Sequence, residues 1–137
     1  MHLLVIDDDP TTADLLKAIL QTMNVVADID QVTSGSEGIQ KVQEQQPDVV
    51  ILDLVMPEMD GWKVCQEIRS FSNVPILILS ALDQPGHVAA ALDAGADDYL
   101  IKPVSASILV AHLHTLLRRT LKANTQPLAM TPPPLRP

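Results

Sequence analysis

The chain has 137 residues, of which 47% are hydrophobic and only 2% are aromatic. This length is typical of one domain with or without a tail, and it can bury an aliphatic core. Acidic residues outnumber basic ones by 17 to 9, which gives a formal net charge of −8. That charge is opposite to the basic surface of nucleic-acid binders, so we expect no direct nucleic-acid binding. The single Cys65 excludes a disulfide within the chain and a cysteine-rich zinc site.

The predicted location is cytoplasmic, without membrane contact. No stretch of the sequence has the roughly 18 uncharged apolar residues of a membrane span. Three aspartates follow Met1 closely, where a signal peptide would be apolar. A lone thiol also fits a reducing compartment.

Short apolar runs alternate with segments of helical periodicity along the first 122 residues. Strands are predicted over residues 3–6, 49–52 and 76–79, with weaker candidates over residues 25–32 and 99–101. Helices are predicted over residues 11–23, 38–46, 62–70, 87–94 and 105–122. This alternation predicts an α/β fold with a doubly wound, five-stranded parallel sheet and helices on both faces.

Capping residues support these helix positions. Asp9 and Pro10 are predicted to supply the N-cap and the first residue of the first helix. Ser34 lies three residues before Glu37, which is the spacing of a capping box. Gly95 follows the fourth helix, where a C-terminal glycine is expected.

The end of the sequence changes character. Residues 123–137 hold five of the eleven prolines and no acidic residue. Such a composition predicts a disordered or extended tail, or a linker. The predicted domain therefore covers residues 1–122.

Polar side chains follow four of the predicted strands. They are Asp7, Asp8 and Asp9 after the first strand, Asp53 after the third, Ser80 after the fourth and Lys102 after the fifth. Ligands of open α/β sheets bind at this edge, beyond the carboxyl ends of the strands. Close carboxylates repel one another and favour a bound cation, and hard oxygen ligands suit Mg²⁺. A carboxylate, a metal, a hydroxyl and a lysine are the groups that phosphoryl transfer to an aspartate requires.

Four segments resemble the receiver domain of two-component response regulators. They are LLVIDDDP, DVVILDLVMPEMDGW, PILILSA and AGADDYLIKP, in that order. The resemblance covers about residues 2–122 and implies a flavodoxin-like fold. It also implies a signalling switch without a turnover substrate, which accepts a phosphoryl group from a sensor histidine kinase or a histidine phosphotransfer protein.

The resemblance also implies a role for each matching residue. The metal ligands for Mg²⁺ are Asp7, Asp8, Asp53 and the backbone carbonyl of Val55, with Asp8 as the direct ligand of the acidic pair. Asp53 is the phospho-acceptor, Lys102 the phosphate-binding lysine, and Ser80 and Tyr99 the switch residues. The peptide bond between Lys102 and Pro103 matches a cis bond of the family, which is plausible because proline follows.

The sequence departs from the family at two surfaces. Val55 and Leu82 are apolar where polar side chains often flank the acceptor, so we expect slow self-dephosphorylation. Val88 and Ile108 are apolar where winged-helix members carry charged pairs between protomers. The face formed by the fourth helix, fifth strand and fifth helix is therefore a candidate for a homodimer or for another partner.

Two other functions stay open at this point. One is a receiver-like interaction module that signals without phosphate. The other is an aspartate-nucleophile phosphohydrolase of the haloacid dehalogenase type, although such enzymes usually carry a second aspartate where this chain has Val55. Cys65 is interpreted as a packing residue, and Asp97 and Asp98 as turn or surface charges, with partner contact as the alternative.

Overall fold

The computed structural model of the chain describes the backbone of residues 1–125 and the side chains of residues 1–120. The strands are β1 (His2–Ile6), β2 (Asp28–Val32), β3 (Val49–Leu52), β4 (Ile76–Ser80) and β5 (Asp98–Ile101). The helices are α1 (Thr12–Thr22), α2 (Gly35–Gln45), α3 (Gly61–Arg69), α4 (Pro85–Asp93) and α5 (Ala106–Thr125). Among residues 1–125, none of the helices combines the length and the apolar composition that a transmembrane span requires.

The five strands form one parallel sheet with the order β2-β1-β3-β4-β5. Successive side chains of a strand point to opposite faces, so each face has its own aliphatic core. Ile6 packs on the face covered by α2, α3 and α4, whereas Val5 packs on the face covered by α1 and α5. The predicted α/β fold is confirmed, and all carboxyl ends of the strands lie at one edge of the sheet.

The predicted start of the first helix was wrong. The helix begins at Thr12 with Thr11 as its N-cap, two residues later than the Asp9-Pro10 prediction. The Asp9 carboxylate instead accepts hydrogen bonds from the backbone nitrogen and the hydroxyl of Thr11. Asp9 thus holds a local turn that precedes the regular helix. The backbone nitrogen of Thr12 donates to the carbonyl of Asp9, three residues back, whereas the helical bond from Leu15 ends on Thr11, so the helix starts only after this turn.

The other capping predictions are confirmed with small shifts. Ser34 caps α2 by accepting from the backbone nitrogen of Glu37, and its hydroxyl donates to the Glu37 carboxylate. Gly95 follows α4 with a φ of +117°, and a Cβ there would lie 2.5 Å from Cγ of Arg69. This position therefore requires glycine both for its backbone conformation and for space.

Most element boundaries differ from the prediction by one to three residues. The strand predicted over residues 25–32 begins only at Asp28, and the helix predicted from residue 87 already begins at Pro85. The last helix continues to Thr125, past the predicted domain boundary. Residues 126–137 of the predicted tail lie outside the described residues. The bond between Lys102 and Pro103 is cis, as the resemblance implied.

Candidate functional site

Strand ends bring the predicted site residues to one edge of the sheet. Asp7 and Asp8 follow β1, Asp53 follows β3, Ser80 ends β4 and Lys102 follows β5. The strands that carry them are adjacent, since β1, β3, β4 and β5 neighbour one another in this order. The apolar runs of β1, β3 and β4 are buried, so the polar residue that comes directly after each run lies at the shared edge.

Asp7, Asp8 and Asp53 form an acidic cluster. One carboxylate oxygen of each lies within 4.8 Å of those of the other two. The three side chains differ in exposure: Asp7 is buried, Asp53 is half-buried and Asp8 is exposed. Three oxygen ligands at a partly open site fit Mg²⁺, which keeps several of its own waters when proteins bind it.

The two members of the acidic pair have different surroundings. One oxygen of Asp7 accepts from the backbone nitrogen of Asp9, and the other accepts from the Thr12 hydroxyl and the Lys102 ammonium. Within the described part of the chain, the Asp8 carboxylate accepts no hydrogen bond. Asp8 is thus the freer of the two to ligate a cation directly, while Asp7 is held in place by the protein.

Lys102 joins the acidic pair to Asp53. Its Nζ atom lies 3.1 Å from Oδ2 of Asp7 and 3.4 Å from Oδ2 of Asp53. Burial by itself lowers the pKa of Lys102, but the adjacent carboxylates outweigh this effect and the pKa is raised. The ammonium therefore stays charged at neutral pH, where it can neutralise an anion that arrives at Asp53.

The loop after β3 packs closely around Asp53. The backbone nitrogen of Val55 donates to Oδ1 of Asp53 at 3.3 Å, and Val55 is 57% exposed. Gly61 at the start of α3 donates to the carbonyl of Leu54 at 2.9 Å. A Cβ on Gly61 would lie 2.5 Å from the carbonyl oxygen of Asp53, so a side chain there would displace the acceptor loop.

Ser80 and Tyr99 both bind the loop between β4 and α4. The fully buried Ser80 accepts from the backbone nitrogen of Leu82 at 3.3 Å, and the Tyr99 hydroxyl donates to the carbonyl of Leu82 at 2.6 Å. Burial and the negative charges of Asp53 and Asp83 raise the pKa of Tyr99, so this hydroxyl stays neutral. The two predicted switch residues thus share one backbone partner beside Asp53.

Sequence reasoning missed several residues that support this edge. Thr12 holds Asp7, and Gln31 holds the backbone of the loop before α1. The role of Gln31 depends on contacts with residues 18 to 24 positions away, and its only signal was a glutamine in the second strand. Thr12 lies only five residues after Asp7, but the turn that joins them carries no motif. Asp97, which was interpreted as a turn or surface charge, forms an ion pair with Arg69 and accepts from the backbone nitrogen of Ile76.

Cys65 and Asp98 both make contacts within the chain. Cys65 is fully buried in α3, and burial raises its pKa to about 11, in agreement with a packing role. The carboxylate of Asp98 contacts the ring of His112 on α5 within the same chain. Partner contact by Asp98 would therefore have to compete with this internal pair.

Comparison with known families agrees with the geometry. Residues 3–114 match the model of the response regulator receiver domain family. The DNA-binding dual master transcriptional regulator RpaA of Synechocystis is 39% identical over 122 residues, and the response regulator MprA of Mycolicibacterium vanbaalenii is 40% identical over 121 residues. These matches cover 87% and 88% of this chain but only 50% and 52% of the relatives. The chain therefore spans about half the length of these curated relatives.

Solved structures show the same likeness over nearly their full length. A two-component response regulator from Clostridium difficile has a TM-score of 0.79 at 32% identity, covering 87% of this chain and 97% of that one. The BeF₃-activated receiver domain of Klebsiella pneumoniae RstA has a TM-score of 0.79 at 29% identity, covering 86% and 99%. The fold is thus that of these regulators.

Proposed function

The chain belongs to the response regulator receiver domain family of two-component systems, and from this premise we propose that it accepts a phosphoryl group on Asp53. The observation that supports the proposal is the position of Asp53. Its carboxylate lies within hydrogen-bonding reach of Lys102 and within the acidic cluster formed with Asp7 and Asp8.

In the proposed reaction, a carboxylate oxygen of Asp53 attacks the phosphorus of a phosphohistidine on the partner. The new bond joins this oxygen to phosphorus, and the bond from phosphorus to the histidine nitrogen breaks. Lys102 neutralises charge on the transferred oxygens from its side of Asp53. A Mg²⁺ ion held by Asp7, Asp8, Asp53 and the Val55 carbonyl would supply further charge neutralisation when bound.

The switch residues then respond to the new charge. In the proposal, the Ser80 hydroxyl donates to a phosphoryl oxygen and releases the backbone nitrogen of Leu82. Tyr99 follows because it is bonded to the same residue. A local change of charge thereby biases the arrangement of the loop before α4 and of the face beside it.

The proposed partners follow from this reaction. A sensor histidine kinase or a histidine phosphotransfer protein supplies the phosphoryl group. Separately, we propose the face of α4, β5 and α5 as a homodimer contact, with docking of a different partner as the alternative. The acidic net charge supports the absence of direct nucleic-acid binding by this chain. RpaA is a DNA-binding regulator, but the match covers only 50% of its length. We therefore do not propose DNA binding for this chain. The cytoplasmic location stays a prediction.

The experiment that tests the proposal is incubation with Mg²⁺ and acetyl phosphate, followed by intact-mass measurement. We expect one added phosphoryl group on the wild type and none on Asp53→Asn. Asp93→Asn is the matched control, because Asp93 is an exposed aspartate on α4 and should leave phosphorylation unchanged. A wild type that binds Mg²⁺ but gains no mass would favour the module that signals without phosphate.

The same samples test whether the chain acts on an external substrate. We propose that it is not an enzyme and that it assists only its own phosphorylation and dephosphorylation. Steady release of phosphate from p-nitrophenyl phosphate, abolished by Asp53→Asn, would instead favour the phosphohydrolase.

A further inference from the structure

Gln31 makes a set of hydrogen bonds that connects two parts of the site. It lies in β2 opposite Val5 of β1, and its side chain reaches the loop between β1 and α1. The Nε2 atom donates to the carbonyl oxygens of Asp7 at 2.9 Å and of Asp9 at 2.6 Å. The Oε1 atom accepts from the backbone nitrogen of Ala13 at 2.8 Å. Both amide hydrogens and the amide oxygen thus have backbone partners.

The loop between β1 and α1 needs such support because it carries three consecutive aspartates. Ionised carboxylates at this spacing repel one another, and repulsion favours loop arrangements in which they diverge. Gln31 holds the backbone on both sides of Asp8, at Asp7 and at Asp9. Glutamine does this without a charge of its own, whereas a lysine or an arginine would compete with a cation.

The first turn of α1 depends on the same side chain. Its N-cap Thr11 makes no side-chain cap hydrogen bond, so the first N–H groups of the helix need other partners. The side chain of Gln31, which lies in β2, is the hydrogen-bond partner of the Ala13 N–H group. This turn also carries Thr12, whose hydroxyl donates to Asp7 at 2.8 Å. A displaced helix start would therefore also displace the bond that orients Asp7.

We propose that Gln31 is a positioning residue of the cation site. It fixes the backbone that presents Asp8 and the helix turn that orients Asp7, without itself contacting the cation or the phosphoryl group. The inference rests on the proposed function, because it takes Asp7, Asp8 and Asp53 as the cation ligands. Supporting residues of this kind typically change metal affinity by 10–100-fold when they are replaced.

The test measures Mg²⁺ binding to the full chain by titration calorimetry, together with amide exchange at Ala13. Gln31→Leu keeps the size of the side chain but removes all three hydrogen bonds. We expect the dissociation constant for Mg²⁺ to rise about tenfold and exchange at Ala13 to accelerate. Gln40→Leu, at an exposed glutamine of α2, is the matched control and should change neither quantity.

A second variant, Gln31→Glu, separates the positioning of the aspartate loop from the stability of the first turn of α1. Gln31→Glu keeps an acceptor for the Ala13 amide but places an oxygen against the two carbonyls. We expect weaker Mg²⁺ binding with Ala13 still protected, although the added negative charge by itself would strengthen binding. Tighter binding in Gln31→Glu would overturn the inference, because charge and not position would then control affinity.

The remaining outcomes distinguish this inference from the proposed function. Each variant is titrated at a temperature where circular dichroism shows it to be folded. Unchanged Mg²⁺ affinity in folded Gln31→Leu would overturn the role of Gln31 and leave the proposed function standing. A wild type that binds no Mg²⁺ would overturn the proposed cation site, and the role of Gln31 with it.

Discussion

The Tyr99 hydroxyl donates to the carbonyl of Leu82 at 2.6 Å, while the nitrogen of Leu82 donates to Ser80. The two predicted switch residues thus hold one residue of the loop before α4. Tyr99→Phe removes one of the two bonds, and we expect a loss of about 1 kcal/mol in the free energy of unfolding. Amide exchange at Leu82 should accelerate, whereas acetyl phosphate should still modify Asp53. Unchanged exchange at Leu82 would show that Tyr99 does not hold this loop.

Lys102 balances the negative charge of the acidic cluster when no cation is bound. Lys102→Met should therefore lower the stability of the Mg²⁺-free protein by about 1 kcal/mol, as expected for a partly exposed pair. Adding Asp53→Asn to this variant should restore part of the loss, because it removes one of the repelling charges. Urea unfolding of the single variants and the double variant measures the coupling. Fully additive effects would contradict a direct interaction between the two residues.

The same lysine predicts a pH dependence. Its pKa in the folded chain is raised above the ordinary value of 10.5. A raised pKa means that the stabilisation is complete below the unfolded-state value and is lost as pH rises through the folded-state value. The stability difference between wild type and Lys102→Met should thus be constant from neutral pH to about pH 10 and shrink at higher pH. A difference that grows with alkaline pH would contradict the charge interaction.

Arg69 and Asp97 join the end of α3 to the start of β5. The Arg69 guanidinium donates to Asp97 at 2.6 Å and to the carbonyl oxygens of Gly95 and Val74. Arg69 also donates to the carbonyl oxygen of Ser72 at 3.2 Å, so replacing it by leucine leaves a half-buried carboxylate and three carbonyls without this donor. We expect a loss of about 2 kcal/mol in the free energy of unfolding. Urea unfolding measures the loss, with exposed Arg118→Leu as the control of unchanged stability.

Val55 provides no polar group that could orient a hydrolytic water in the proposed reaction. Its exposed side chain cannot orient a water in line with the phosphorus, and neither can Leu82. The phosphorylated wild type should therefore decay slowly, and Val55→Asn should shorten its lifetime several-fold. The decay of the intact mass measures both rates. Val26→Asn, at an exposed valine far along the chain from Asp53, should leave the lifetime unchanged. A wild-type lifetime of seconds would contradict this prediction.

The strand ends were predictable from the sequence, and the supporting contacts were not. The sequence of a buried strand such as β3 is an uninterrupted apolar run. The position of Asp53 at the end of β3 therefore follows from the local sequence. The role of Gln31 depends on the register between β1 and β2, which no local pattern encodes. The start of α1 was mispredicted because Thr11 and Thr12 bond back to Asp9 in a local turn, and the regular helix begins only after this turn. The pairing of Arg69 with Asp97 likewise joins positions 28 residues apart.

Ile108 tests the proposed homodimer on the face of α4, β5 and α5. Ile108, Ile101 and Leu92 expose 49%, 43% and 45% of their surface there, and Asp98 is already paired with His112 inside the chain. Apolar contact would thus be the main attraction between two copies. We expect the chain to dimerise with Mg²⁺ and BeF₃, the activating group of the RstA receiver structure, and Ile108→Glu to stay monomeric in sedimentation. Leu15→Glu, at an exposed leucine of α1, should dimerise like the wild type. If wild type and Ile108→Glu sediment with the same mass in the presence of Mg²⁺ and BeF₃, this face is not the dimer contact.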